Sequence, residues 1–276
     1  EIDLRMSDVV SIDATYSNKL SLSIAQDAEN AWRTLASIGE VSREHTLDDV
    51  DAGTAVISGH VEALDISAWA DTQARFRSAG NLELPAIVWR DFSVDRLAVG
   101  KTKLGSFSST GQYEAGLTSL GLVGDFIKAK IDFDGPAAQL DIQIESLSID
   151  ALPTINAAAL DIESDKPAAT SWPAMQIAVD SVIFKGQDLG SLSFGASILE
   201  SSVDLSQFDG SLDGVTFGPE SQFTWVRGDG STTRASLDLT LPSAGEAFTL
   251  LDAKSVVDFS SGRVVGEIEW PGGPTD

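Results

Sequence analysis

Catalysis needs nucleophiles, proton carriers or metal ligands at workable spacing, and this sequence offers few of them. Its histidines are His45, in a charged loop, and His60, in a strand beside Gly59. Neither has a second histidine or an acid at metal-ligand spacing, so both read as solvent-facing or structural. There is no cysteine, which excludes disulfides, a thiolate nucleophile and Cys-ligated zinc, and identifies no compartment. No G-x-S-x-G elbow, P-loop or H-E-x-x-H stretch occurs. Asp132-Phe133-Asp134-Gly135 resembles part of a calcium loop, but the distal glutamate of such a loop is missing. It reads as a turn between strands. Arg227-Gly228-Asp229 spells an integrin-binding tripeptide, yet Gly228 and Gly230 already account for it as a turn. The acids are scattered, with no pair to single out as a glycosidase acid and nucleophile. The expectation is a protein that is not an enzyme and holds no cofactor or metal.

The tryptophans are the other residues with something to offer. Trp32, Trp69, Trp89, Trp172, Trp225 and Trp270 stand near strand ends or on an expected helix face. Buried, such a residue fills core volume and sends its indole N–H to a partner at the rim. Exposed, it contacts a lipid chain or a sugar.

The elements that must position these residues read as strands. From Trp172 to Trp225 apolar residues alternate with Ser, Asp and Gly: Ile177, Val179, Val182, Phe184, then Leu192, Phe194, Val203, Leu205, Val215, Phe217, Phe223. A period of two places every second side chain on one face of a sheet. The three-residue step from Val179 to Val182 breaks the phase and predicts a bulge or bend. Lys185-Gly186-Gln187-Asp188 predicts a turn. An earlier copy of this stretch is visible. Leu84-Pro85-Ala86-Ile87 matches Trp172-Pro173-Ala174-Met175 at an offset of 88, and Leu104-Gly105-Ser106 matches Leu189-Gly190-Ser191 at 85. The chain therefore reads as one continuous segment over 1–276, with internal repeat units at approximately 55–150 and 151–276.

Elsewhere, 1–25 reads as two or three strands, and Asp27 to Gly39 as a short helix with Ala31, Trp32, Leu35, Ala36 and Ile38 on one stripe. Val56 to Leu64 is a strand interrupted by Gly59, and Asp65 to Ala79 a second short helix. Ile87 to Val99 reads as a strand pair. Leu104 to Phe133 is a meander in which Gly111, Gly116, Gly121 and Gly124 mark turns or bulges. Leu140 to Ile149 changes phase at Glu145-Ser146, which predicts a bulge. Ala244 to Ala253 suggests a helical turn. Short spacing between so many strands predicts mostly antiparallel pairing.

The chain has 276 residues, with 42 acids against 18 bases and a formal charge of -24. That balance excludes a nucleic-acid partner and charge-driven adsorption to anionic membranes. No apolar run reaches the length of a membrane-spanning helix. The chain starts at Glu1 without a signal peptide, so it is expected to be a piece of a longer product whose anchor lies elsewhere.

The C-terminal third carries a resemblance. Trp172-Pro173-Ala174 leads to Leu189-Gly190, and an aromatic strand ends at Trp225 before a glycine turn. Thr232-Thr233-Arg234 runs to Leu241, with Phe248 and Leu251 beyond it. Gly266-Glu267-Ile268-Glu269-Trp270-Pro271-Gly272-Gly273-Pro274 closes the chain. Gly59 to Trp69 followed by Leu84-Pro85 looks like the same module one unit earlier. Over most of 55–274 this resembles the periplasmic part of the AsmA-like proteins, closest to the YhdP branch. It departs from them in lacking the amino-terminal transmembrane helix and the sequence expected after the closing segment.

The resemblance implies a mainly β fold: an elongated, curled antiparallel sheet forming a U-shaped groove, a β-taco, with two or three short helices. It implies a periplasmic conduit that shields phospholipid acyl chains between the inner and outer membranes of Gram-negative bacteria. The inner-membrane anchor and outer-membrane contacts would come from parts of the protein outside this chain. No catalytic residue is implied. The expected groove-lining residues are Leu192, Phe194, Val215, Phe217, Phe223, Leu237, Leu239, Ile268 and Trp270. Two alternatives remain open: a closed β-sandwich or solenoid serving as scaffold or adhesin, and a sugar-binding β domain.

Overall fold

The structure is a computed structural model. It describes residues 2–6, 10–16, 20–26, 29–39, 46–65, 86–99, 102–135, 137–152, 173–199, 201–226, 231–241 and 261–272. The fold is mainly β, and the chain divides into two compact units. The described parts of the first lie within Glu1–Asp125, and those of the second within Phe126–Leu152 and Leu160–Asp276.

In the first unit the strands are β1 (Ile2–Met6), β2 (Val10–Tyr16), β3 (Leu20–Gln26), β4 (Trp32–Gly39), β5 (Thr54–Asp65), β6 (Ala86–Val99), β7 (Thr102–Glu114) and β8 (Leu117–Gly124). Each pairs with the next. The β4–β5 and β5–β6 pairs are parallel and the rest antiparallel. Because paired residues share a face, one cross-strand row runs Leu22, Ala36, Ile57, Trp89, Gly111, Leu120. The neighbouring row on the opposite face runs Ser23, Leu35, Val56, Val88, Gln112, Ser119. That second row is polar apart from Leu35, Val56 and Val88.

The crossover from β4 to β5 covers this exception. It carries a 3-10 turn at Leu47–Asp49, closed at its start by Thr46, whose backbone N–H and hydroxyl both donate to the Asp49 carboxylate. Leu47 and Val50 from the crossover pack on Leu35, Val56 and Val88. Val50 and Val56 are almost completely buried, worth about 1.5–3 kcal/mol each relative to exposure.

Three expectations change here. The segment 27–39 is not helical: Trp32–Gly39 is strand β4, held antiparallel by β3 and parallel by β5. Ile87 to Val99 lies in a single strand, not a pair. Its phase changes come from register shifts between Trp89 and Phe92 and between Val94 and Leu97. Gly121 and Gly124 are neither turns nor bulges but pair in regular register, whereas Gly111, regular toward β8, does stand at the Trp89–Phe92 register shift of the β6–β7 pair. Gly111 approaches the Ser119 carbonyl and Gly124 lies against the Phe107 ring, so both are close-packing positions. Gly116 does sit in the β7–β8 turn. Of the other expected helices, 66–79 and 244–253 lie outside the described residues.

In the second unit the strands are β9 (Ile127–Asp134), β10 (Gln139–Ser148), β11 (Ala174–Val179), β12 (Val182–Phe184), β13 (Gln187–Asp188), β14 (Gly190–Ile198), β15 (Ser202–Leu212), β16 (Val215–Phe217), β17 (Gln222–Val226), β18 (Thr232–Leu241) and β19 (Gly262–Pro271). β9 pairs antiparallel with β10, and β10 runs parallel to β11 and β12. From β11 the pairing continues antiparallel to β14, β15, then β16 and β17 end to end in one position, β18 and β19.

Both bulges expected from phase breaks are present. The β9–β10 register shifts between Ile144 and Ser146. Asp180-Ser181 interrupts β11 and β12, with the Asp180 N–H donating to the Ile144 carbonyl and the Leu147 N–H to Ser181. The two irregularities lie side by side, so Ile144 stays beside Val179 and Leu147 beside Val182. Lys185-Gly186, at φ 51 and 73, makes the β12–β13 turn. Asp134 ends β9, its carboxylate accepting the Ala137 N–H at 3.0 Å, in keeping with a turn rather than a calcium loop.

Candidate apolar groove

Register fixes what the strand pattern alone leaves open, namely which side chains share a side. In the second unit the row Ile142, Ile177, Phe194 continues to the bulged part of β15. Alongside it run Leu192, Gly210, Phe217, Leu239, Val264, and Ala196, Leu205, Phe223, Ala235, Ile268. A further row runs Ile198, Val203, Trp225, Thr233, Trp270. All the predicted lining residues fall on this one face, Val215 through its pairing with Leu212 and Leu237 two places along from Ala235. Among the described residues of these rows none is charged. The opposite face carries Asp204, Thr224, Arg234 and Glu269 in one row.

The apolar face is closed at one end and hollow at the other. Toward β9–β12, Ala129, Ile144, Val179 and Val182 are buried together, with Ile127, Leu147 and Leu212 packed against them. Toward β14–β18 lies a hollow of about 460 Å³, lined by Leu192, Phe217, Phe223 and Leu237 from the expected set, and also by Val203, Leu205, Phe208 and Trp225. Small residues explain why it is not filled. Gly210 stands between Leu192 and Phe217 and contributes no side chain, and Ala235 stands between Phe223 and Ile268.

Aromatic contacts hold the walls. Phe208 stacks on Phe194 at 5.5 Å and on Phe217 at 5.9 Å between ring centres, and the Trp270 ring meets Phe223 edge-on at 6.0 Å. The remaining predicted residues adjoin the hollow rather than line it. Leu239 lies beside Phe217, Val215 beside Leu212, and Ile268 is 54% exposed on β19. The sequence reading missed Phe208. Its signal was the three-residue step from Leu205, the same phase break as 179 to 182. Gln207, at φ 58, absorbs the extra residue.

The polar groups of Trp225, Thr233 and Ser221 are tied to partners, while Gln222 and Ser236 also border the hollow. The Trp225 indole N–H donates to Ser231 Oγ at 2.9 Å, so the ring presents carbon to the hollow. Thr233, fully buried between Trp225 and Trp270, donates its hydroxyl to the Gly272 carbonyl at 2.9 Å. Behind the floor, Gly218 to Ser221 bends out between β16 and β17 and is pinned to Asp238. The Asp238 carbonyl accepts from the Gly218 N–H at 2.7 Å and from the Ser221 hydroxyl at 3.1 Å. The Asp238 carboxylate, only 6% exposed as a residue, receives Arg263 Nε at 2.7 Å and Nη2 at 2.9 Å. Those hydrogen bonds hold its carboxyl below the usual range against the opposing pull of desolvation, and raise the Arg263 guanidinium.

The residues weighed for chemistry lie elsewhere. In the first unit His60 Nδ1 is 3.0 Å from Ser93 Oγ and Nε2 is 3.2 Å from the Asp95 carboxylate, with the imidazole and the carboxylate both substantially exposed. The contact joins β5 to β6 on the face opposite Val61 and Val94. His45 and the Arg227-Gly228-Asp229 turn lie outside the described residues. Among the described residues no group of His, Asp or Glu side chains is placed to hold a metal, and no helix is long and apolar enough to cross a membrane.

No curated protein and no solved structure matches the chain. A family model described as YhdP protein matches residues 3–276. The match takes in every described strand except the first residue of β1, the hollow and the aromatic residues around it; the chain belongs to the YhdP family.

Proposed function

We propose that this chain is a non-catalytic segment of a lipid conduit, in which an apolar groove shields phospholipid acyl chains on their way between the inner and outer membranes. The reading places it in the periplasm, with the membrane anchor and the outer-membrane contacts supplied by parts of a longer protein outside this chain. Family membership supports the reading at the level of class. The observation that carries it is the uncharged face of the second unit, with a hollow of about 460 Å³ that its own side chains leave unfilled. That volume lies within the range of about 300–1,000 Å³ typical of ligand sites.

The physics suits an acyl chain. Each methylene removed from water gains about 0.8 kcal/mol, and no directional partner is needed. A headgroup left outside stays hydrated. The test is native mass spectrometry of the purified chain together with lipid extraction. Co-purified phospholipid is the expected result. No bound lipid, together with no binding of a dye that reports exposed apolar surface, would point instead to a closed scaffold.

A further inference from the structure

We propose that the second unit discriminates by headgroup charge, accepting zwitterionic phospholipids over anionic ones; this deepens the conduit reading and rests on it. The groove rows contain no charged side chain among the described residues, so a headgroup has no place inside and must lie at the border, in water. What it meets there is set by the distribution of charge.

The basic side chains described in this unit are Lys128, Lys130, Lys185, Arg234 and Arg263. Four of them already hold an acid. Lys128 is 2.6 Å from Glu145, Lys130 is 2.7 Å from Asp132, Arg234 is 2.7 Å from Glu269, and Arg263 is 2.7 Å from Asp238. Register puts Arg234 and Arg263 on the face opposite the hollow. Lys185 lies over the Phe184 ring, and its backbone N–H donates to the Asp150 carboxylate. At four of these five described bases a phosphate must therefore displace a carboxylate first, and Lys185 is engaged with the Phe184 ring.

Among the described residues the turn at the edge of the hollow, between β16 and β17, carries an acid. Glu220 is exposed and precedes Ser221 at the edge of the hollow, while Asp188, at the end of β13, and Asp213, on a turn, stand beside Leu189 and Leu212 at the closed end of the same face. The chain as a whole carries a formal charge of -24. One carboxylate about a Debye length (~8 Å) from an anionic headgroup lowers its occupancy about twofold, and several acting together lower it severalfold. A zwitterionic headgroup carries its own cation and escapes most of that penalty.

The experiment offers the purified chain vesicles of equal parts phosphatidylethanolamine and phosphatidylglycerol with identical acyl chains. The protein is re-isolated and the two lipids bound to it are quantified by mass spectrometry. At low ionic strength a severalfold excess of phosphatidylethanolamine is expected. The excess should shrink toward unity at about 1 M salt, where the Debye length is about 3 Å. Glu220→Lys should lower it at low salt, and Glu220→Gln should lower it by less. A unit ratio at low salt, or an excess of phosphatidylglycerol, overturns the proposal while leaving the conduit intact. So does a phosphatidylethanolamine excess that neither salt nor Glu220→Lys changes, because headgroup size would then be the cause. Retention of neither lipid overturns the conduit reading itself.

Discussion

Replacing Phe217 by aspartate separates a groove from an ordinary core. The ring lies beside Leu239 and Gly210 and stacks on Phe208 at 5.9 Å, on the wall of the hollow. Removing a fully buried Phe costs about 3–5 kcal/mol; Phe217 is half-buried, so the stability loss from missing contacts should be about 2 kcal/mol. The new carboxylate faces an open hollow and stays hydrated while the groove is empty. An acyl chain laid over it must strip that water, a penalty of several kcal/mol. Taking about 3 kcal/mol, affinity for the chain falls more than a hundredfold. Thr216→Asp is the control: Thr216 is exposed and one residue earlier, so its side chain points to the polar face. The assay is thermal unfolding to confirm folding, followed by lipid retained per protein after extraction. Phe217→Asp should fold and come out empty, with Leu239→Asp also impaired and Thr216→Asp filled. A folded Phe217→Asp that keeps its lipid, or a Thr216→Asp that loses it, refutes the assignment of faces.

Arg263→Gln should make the protein more sensitive to acid. The Asp238 carboxyl is depressed by hydrogen bonds from Arg263, so its stabilising contribution is present above the ordinary aspartate value and lost as pH falls through the depressed one. Without Arg263 that contribution shrinks, and the midpoint of acid unfolding, followed by circular dichroism, should move to higher pH. Gly59→Ala and Gly53→Ala should differ although both glycines have positive φ. At Gly59, φ 136, a Cβ would run into the Ile38 backbone of β4, so a loss above about 2 kcal/mol in urea denaturation is expected. At Gly53, φ 76, the space is open and only strain of about 1 kcal/mol remains.

Much of the β architecture was legible because a strand with one wet face writes a period of two. The steps at Glu145-Ser146 and from Val179 to Val182 betrayed their bulges for the same reason: an extra residue must break the phase. β4 was misread through a related rule. Leu35 lies under Leu47 and Val50 while Ala36 and Ile38 lie on the other side, so apolar residues fall on both faces and mimic a helical stripe. Nothing local to 32–39 announces that covering crossover. The parallel pairs β4–β5, β5–β6 and β10–β11 were hidden likewise, since they depend on where long connections return the chain. Candidate lining residues could be named from phase. Which of them border a hollow was not readable, because that depends on cross-strand neighbours such as Gly210 and Ala235, distant in sequence.

The way Trp225 and Thr233 are tied has a kinetic meaning. Their donors are committed to Ser231 and Gly272, so these two side chains offer no hook to a molecule in the hollow. Dispersion and water exclusion scarcely change when a hydrocarbon shifts by one carbon along aliphatic and aromatic neighbours. On the proposed conduit reading, such a surface would combine confinement with a nearly flat profile along its length, so that an occupant is kept from solvent yet free to slide.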